Sequence, residues 1–140
     1  MKNLFLVLFS CFTFISSISA QEKTGELIVE IQNLKTDKGK LLVGLYDSKN
    51  NWLGQSIMGE VSDIKNGKAQ VTFKDVPYGS YAISSYQDEN ENNELDAGLF
   101  GIPKEPYASS RGAKGTFGPP KWNDAVFKVE AQSTTEIILY

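Results

Sequence analysis

The chain has 140 residues, with 14 basic and 17 acidic side chains, one Cys and no His. Without His there is no imidazole catalysis, no Ser-His-Asp triad and no His-built zinc or haem site, and a lone Cys forms no internal disulfide. A net charge of −3 and a single Arg, Arg111, leave no basic footprint for nucleic acid.

Met1 to Ala20 reads as a secretory signal peptide. Lys2 supplies the positive start, an apolar run holding four of the eight Phe follows, and small Ala20 precedes polar Gln21. Ile18 stands at the minus-three position, where a small residue is commoner, so the cut is expected at or beside Ala20. Leu4 to Ile18 is shorter than the ~20 residues of a spanning helix, which disfavours a retained anchor. A lipoprotein box at Leu8-Phe9-Ser10-Cys11 carries bulky Phe9 and would leave Phe12-Thr13-Phe14-Ile15 on the mature end. The expectation is a single exported domain over residues 21–140, periplasmic or secreted, with no stable membrane insertion. Its 13 basic and 17 acidic groups give −4, with neither Cys nor His.

Beyond the signal, apolar residues recur with period two. Leu27, Val29 and Ile31 form the first alternating run, and Leu41, Val43 and Leu45 the second. Thr36-Asp37-Lys38-Gly39 between them reads as a hairpin turn. Asn50 to Met58 holds a short turn, and Asn66-Gly67 is a turn before Ala69–Phe73. Further strands are expected at Tyr81–Tyr86, Val126–Val129 and Thr135–Tyr140. Such one-sided strands suit antiparallel pairing, so the expected class is an all-β antiparallel sandwich of about seven strands. Residues 97–123 hold five of the twelve Gly and four of the five Pro. Phe100, Tyr107, Phe117 and Trp122 mark that stretch as an ordered excursion over one end of the sandwich, since disordered segments carry few aromatics.

The segment Asp88-Glu89-Asn90-Glu91-Asn92-Asn93-Glu94-Leu95-Asp96 carries the site chemistry. Oxygen-bearing side chains fall on alternate residues: Asp88, Asn90, Asn92, Glu94 and Asp96. Alternate placement in a tight loop turns oxygens inward, as a hard cation such as Ca2+ requires. Leu95 takes the apolar anchoring position. Asn93 stands where a calcium loop has Gly, but Asn tolerates left-handed backbone. Leu99 stands where a bidentate Glu closes the shell, and Glu105 is the distant carboxylate that could replace it. The competing reading is a solvated acidic hairpin tip rich in turn-forming Asn.

Val76-Pro77-Tyr78-Gly79-Ser80-Tyr81-Ala82-Ile83 resembles the Pro-x-Gly-x-Tyr turn and strand of transthyretin-like, or prealbumin-like, sandwiches. Pro77 sets the turn, Gly79 permits tight backbone and the Tyr81 ring packs on the core. Asp88-Glu89-Asn90, Leu95-Asp96, Gly101-Ile102-Pro103-Lys104-Glu105, Ser109-Ser110, Pro120, Asp124-Ala125 and Phe127 follow. That order resembles the secreted bacterial domain-of-unknown-function family 2141 over about Gly25 to Tyr140. Arg111 to Gly118 departs from the short polar stretch expected there. The resemblance implies an exported immunoglobulin-like or prealbumin-like sandwich and assigns no activity.

The expected function is therefore a non-enzymatic binding module, with calcium at the acidic loop ordering the Gly/Pro segment behind it. Its partner would be a surface protein, a glycan or a small ligand. A calcium-independent alternative binds a glycan, peptide or small ligand through the aromatic loop 97–123, with Tyr107 and Trp122 its surface residues; the competing reading is that Trp52, Tyr107 and Trp122 cover the end of the core. A third reading, a glycoside hydrolase, would take its acid–base pair from Asp88, Glu94, Asp96 and Glu105. Ser109 and Ser110 lack a visible base and read as capping or turn residues.

Overall fold

A computed structural model describes residues 22–140. The expected signal peptide, Met1–Ala20, lies outside the described residues. Eight strands follow in chain order: β1 (Thr24–Gln32), β2 (Lys40–Tyr46), β3 (Met58–Asp63), β4 (Ala69–Pro77), β5 (Gly79–Asp88), β6 (Tyr107–Ser109), β7 (Phe127–Val129) and β8 (Ser133–Leu139). One short helix, α1 (Trp122–Ala125), precedes β7. The fold is an all-β sandwich.

One sheet has the order β4-β1-β8 and the other β3-β2-β5-β6, with β7 on the first residues of β5. Alternation explains the layers. Leu27, Val29 and Ile31 of β1 and Leu41, Val43 and Leu45 of β2 are buried, as are Val71 and Phe73 of β4 and Ile83 of β5. Each such side chain contributes about 1.5–3 kcal/mol by leaving water.

The expected β1–β2 hairpin does not form. β1 pairs antiparallel with β4 and parallel with β8, whereas β2 pairs with β3 and β5. Residues 33–39 instead carry the chain from one sheet to the other, and two anchors hold them there. The Asp37 carboxylate accepts from the Asn66 and Gly67 N–H groups, both at 2.8 Å. Gly39, at φ +72°, lies so close to β5 that a Cβ would meet the Asp88 carbonyl oxygen. A connection this long needs no local pairing, so each strand finds a distant partner.

The other turns follow the sequence. Asn66 and Gly67 both have positive φ, at 52° and 68°, between the bridged pair Lys65 and Lys68. Pro77 closes β4, and the Tyr81 hydroxyl donates to its carbonyl at 2.8 Å while the ring sits in the core. Two strands were not legible as alternation. β3, Met-Gly-Glu-Val-Ser-Asp, is a polar edge strand, and β6 is a three-residue strand inside the Gly/Pro excursion. That excursion is ordered by β6, by 3₁₀ turns at Leu99–Gly101 and Ser110–Gly112, and by the start of α1.

Candidate functional site: the acidic loop and the outer face of the second sheet

β5 delivers Asp88 to the end of the sandwich, where it is 1% exposed although it begins a polar loop. Next to it, buried Gln87 donates to the Lys38 carbonyl at 2.7 Å and the Thr36 hydroxyl at 3.1 Å, joining the 33–39 connection to the base of the loop. Asp88 then organises the loop itself. Its Oδ1 accepts from the Asn92 N–H at 3.2 Å and its Oδ2 from the Asn93 N–H at 2.7 Å. Glu91 and Asn93 have φ of 59° and 63°, so Asn93 does take the left-handed geometry expected of it.

Four of the five predicted ligand residues come together. Asn90 Nδ2 donates to Asp96 Oδ2 at 2.7 Å, and Asn92 Nδ2 to Asp96 Oδ1 at 3.2 Å. Asn90 Oδ1 accepts from the Asn92 N–H and Asn92 Oδ1 from the Glu94 N–H. Glu94 joins through that backbone N–H, its side chain pointing to solvent. Among the described residues, no three Asp, Glu, His or Cys side chains gather into a metal-holding group. The oxygens that do gather belong to two Asp and two Asn.

Glu105 does close the loop, but through the backbone. It is 8% exposed, with Oε1 accepting from the Glu89 N–H at 2.9 Å and Oε2 from the Asp96 N–H at 3.0 Å. One buried carboxylate thus pins both ends of the loop. Sequence spacing points to Glu105 as a carboxylate near the loop; its use as a backbone clamp depends on the Ala97–Pro103 bridge that brings it back.

A second feature emerges only from the register. Residues paired across strands share a face, so the outer side of the β3-β2-β5-β6 sheet carries three rows. Asp63, Lys40 and Asp88 form the row nearest the acidic loop. Val61, Leu42, Tyr86 and Tyr107 form the next, and Gly59, Gly44, Ser84 and Ser109 the third. Lys40 Nζ pairs with Asp63 Oδ1 at 2.5 Å, which raises the Lys40 pKa and lowers that of Asp63. Burial first, then the charges of Asp88 and Glu105, hold the Tyr86 phenol above its ordinary value, so it stays a neutral hydroxyl.

Beyond the third row stands an aromatic cluster. The Tyr46 ring lies back over Gly44. Trp52 meets Tyr46 edge-on at 5.1 Å, and Trp122 meets Trp52 edge-on at 6.0 Å. Trp52 Nε1 donates to the Pro120 carbonyl at 2.8 Å, which fastens the excursion to this side of the sheet. Of the two expected contact residues, Tyr107 stands in the second row opposite Tyr86, and Trp122 in this cluster against Trp52. Ser109, expected to cap or form a turn, makes no side-chain cap bond, and Ser110 instead ties β5 to α1: its hydroxyl donates to the Ala125 carbonyl at 2.6 Å and accepts from the Ile83 N–H at 2.9 Å. Two shallow depressions, one beside Thr24 and Asp75 and the other beside Tyr78 and Lys128, lie away from both features.

These observations define a class: a β-sandwich with an oxygen-rich loop at one end and a mixed aromatic and polar sheet face beside it. The chain belongs to the family described as an uncharacterized protein conserved in bacteria, DUF2141, whose model matches residues 29–137. No curated protein and no solved structure matches it.

Proposed function

We propose that the chain is an exported, immunoglobulin-like or prealbumin-like binding module whose acidic loop takes a calcium ion. The observation that carries this reading is the convergence of Asn90, Asn92 and Asp96 through their side chains, with Asp88 and Asn90 oxygens both on the Asn92 backbone N–H. In the ion-bound loop, the two Asn amides turn their carbonyl oxygens toward the cation and release Asp96 to ligate it, with Glu94 swinging in as a further oxygen. Donors that are all oxygen, on a loop with two left-handed residues, suit a large hard cation better than Mg2+, which demands near-ideal octahedral geometry. The ion neutralises a segment holding five of the 17 acids and stiffens the excursion that Glu105 ties to it.

Binding is favoured over sugar hydrolysis because the Glu105 and Asp88 carboxylates are each engaged by two backbone N–H groups. An acid–base pair needs carboxyls free to exchange protons with substrate. Export rests on the Met1–Ala20 sequence and is checked by the N-terminal residue of the protein recovered from the producing cells, expected to be Gln21 or a neighbour.

Thermal melts of the mature protein with calcium, magnesium or chelator test the ion reading. Calcium at a hundredfold excess over Kd is expected to add about 2.7 kcal/mol, which is several degrees for a domain of this size. Magnesium adds much less, and Asp88→Ala with Asp96→Ala removes the gain. With Kd of about 10⁻⁴–10⁻³ M, that excess is reached by about 100 mM calcium, and a melt that is the same there and in chelator at matched ionic strength contradicts the reading.

A further inference from the structure

We infer that the outer face of the β3-β2-β5-β6 sheet binds an uncharged glycan chain, laid along the row Val61, Leu42, Tyr86 and Tyr107 with Ser84 and Ser109 beside it. The inference names a ligand class for the binding module proposed above and requires no calcium.

Three observations carry it. First, the row is apolar and aromatic yet open to solvent: Val61 is 57% and Tyr107 48% exposed, and both lie at the ends of the row. A sugar ring has apolar C–H faces and hydroxyl edges, so it needs an apolar strip flanked on both sides by hydrogen-bonding groups. Here the flanks are the Asp63–Lys40 row on one side and the Ser84–Ser109 row on the other. Second, the Ser109 hydroxyl is buried with no hydrogen-bond partner among the described residues. It shares the outer face with Ser84, its cross-strand partner. A buried hydroxyl left unpaired costs about 1–3 kcal/mol, and since this one is covered, a ligand hydroxyl relieves that cost as the Ser109 side chain turns outward to meet it. Third, the charge facing the strip is acidic. Lys40 is paired with Asp63, the Asp88 carboxylate is turned into the acidic loop, and exposed Glu91 and Glu94 act on Lys40 and Tyr86 from that loop. An anionic polysaccharide is repelled there, whereas an uncharged one is not.

The face also disfavours a peptide. Extended peptides dock by main-chain hydrogen bonds to a sheet edge, which here is the outer edge of β3, whereas β2 and β5, under the middle of the face, are paired on both sides. Four strands at about 4.8 Å spacing make the strip about 14 Å long, a length suited to a short oligosaccharide rather than a single sugar.

The test is an array of neutral and acidic glycans probed with the mature protein in chelator. The neutral hit is then taken into solution as a hexasaccharide and followed by backbone-amide NMR. At least one neutral glycan is expected to bind and to shift the amides of β2, β5 and β6 around Leu42, Tyr86 and Tyr107. Tyr107→Ala and Tyr86→Ala each weaken it at least tenfold with unchanged melts, and Phe117→Ser, outside the face, leaves it intact. Silence of every neutral glycan overturns the inference. So does binding confined to acidic glycans, binding to a random peptide library in place of sugars, or an affinity indifferent to Tyr107→Ala and Tyr86→Ala. Because the assay contains chelator, loss of the calcium reading leaves this result standing, and the reverse.

Discussion

Gly39 and Gly79 look alike in the sequence, each beside a turn, but they differ in what surrounds them. Gly39 has φ +72°, and a Cβ there would overlap the Asp88 carbonyl. Gly39→Ala therefore combines left-handed strain with a backbone clash, and is expected to cost about 2–3 kcal/mol or more in urea unfolding. The Gly79 Cβ position meets only the Tyr81 ring, at 3.4 Å and without positive φ, so Gly79→Ala is expected to stay within about 0.5 kcal/mol. The tight backbone expected at Gly79 from the Pro-x-Gly-x-Tyr motif is thus of less consequence than the motif suggests. What the motif does fix is the Tyr81 hydroxyl on the Pro77 carbonyl. At Glu105 the case is reversed: spacing alone marks an acid near the loop, and only the returning chain makes it a clamp on two N–H groups.

Among the elements, strands with strong period-two patterning were readable because burial on one face leaves a trace in every second residue. β1, β2, β4 and β5 are of this kind. β3 has no such trace, since Glu60 and Asp63 on an edge strand satisfy solubility rather than burial. β6 is too short for a period to show. Pairing itself was not legible, because alternation says which residues face the core and nothing about the neighbour. The 33–39 connection shows the consequence, and its anchor is testable. Two backbone N–H donors hold the Asp37 carboxyl below its ordinary pKa. A depressed native pKa stabilises above the unfolded value and loses that contribution as pH falls through the native one. The wild type is therefore expected to exceed Asp37→Asn in melting temperature at neutral pH. The gap should narrow below about pH 4, and a constant gap across that range would remove the carboxylate from the account.

Across the whole molecule, the two proposed sites share one origin. β5 ends in Asp88 at the loop and carries Tyr86 and Ser84 on the outer face, so a single strand positions both. Composition exposes the loop readily, because five of 17 acids crowd into nine residues. The sheet face was hidden, since Val61, Leu42, Tyr86 and Tyr107 are scattered over 66 positions and become neighbours only through the register. The absence of His from the entire chain, and of Cys beyond residue 20, still directs attention to oxygen chemistry. A calcium titration of the mature protein followed at the Asn92 and Asn93 amides, whose N–H groups both rest on Asp88, tests that chemistry most directly. The account predicts that both resonances move and saturate at one ion per chain, with Kd in the range of about 10⁻⁴–10⁻³ M. Resonances that stay fixed, or drift without saturating at concentrations about tenfold above that range, would contradict it.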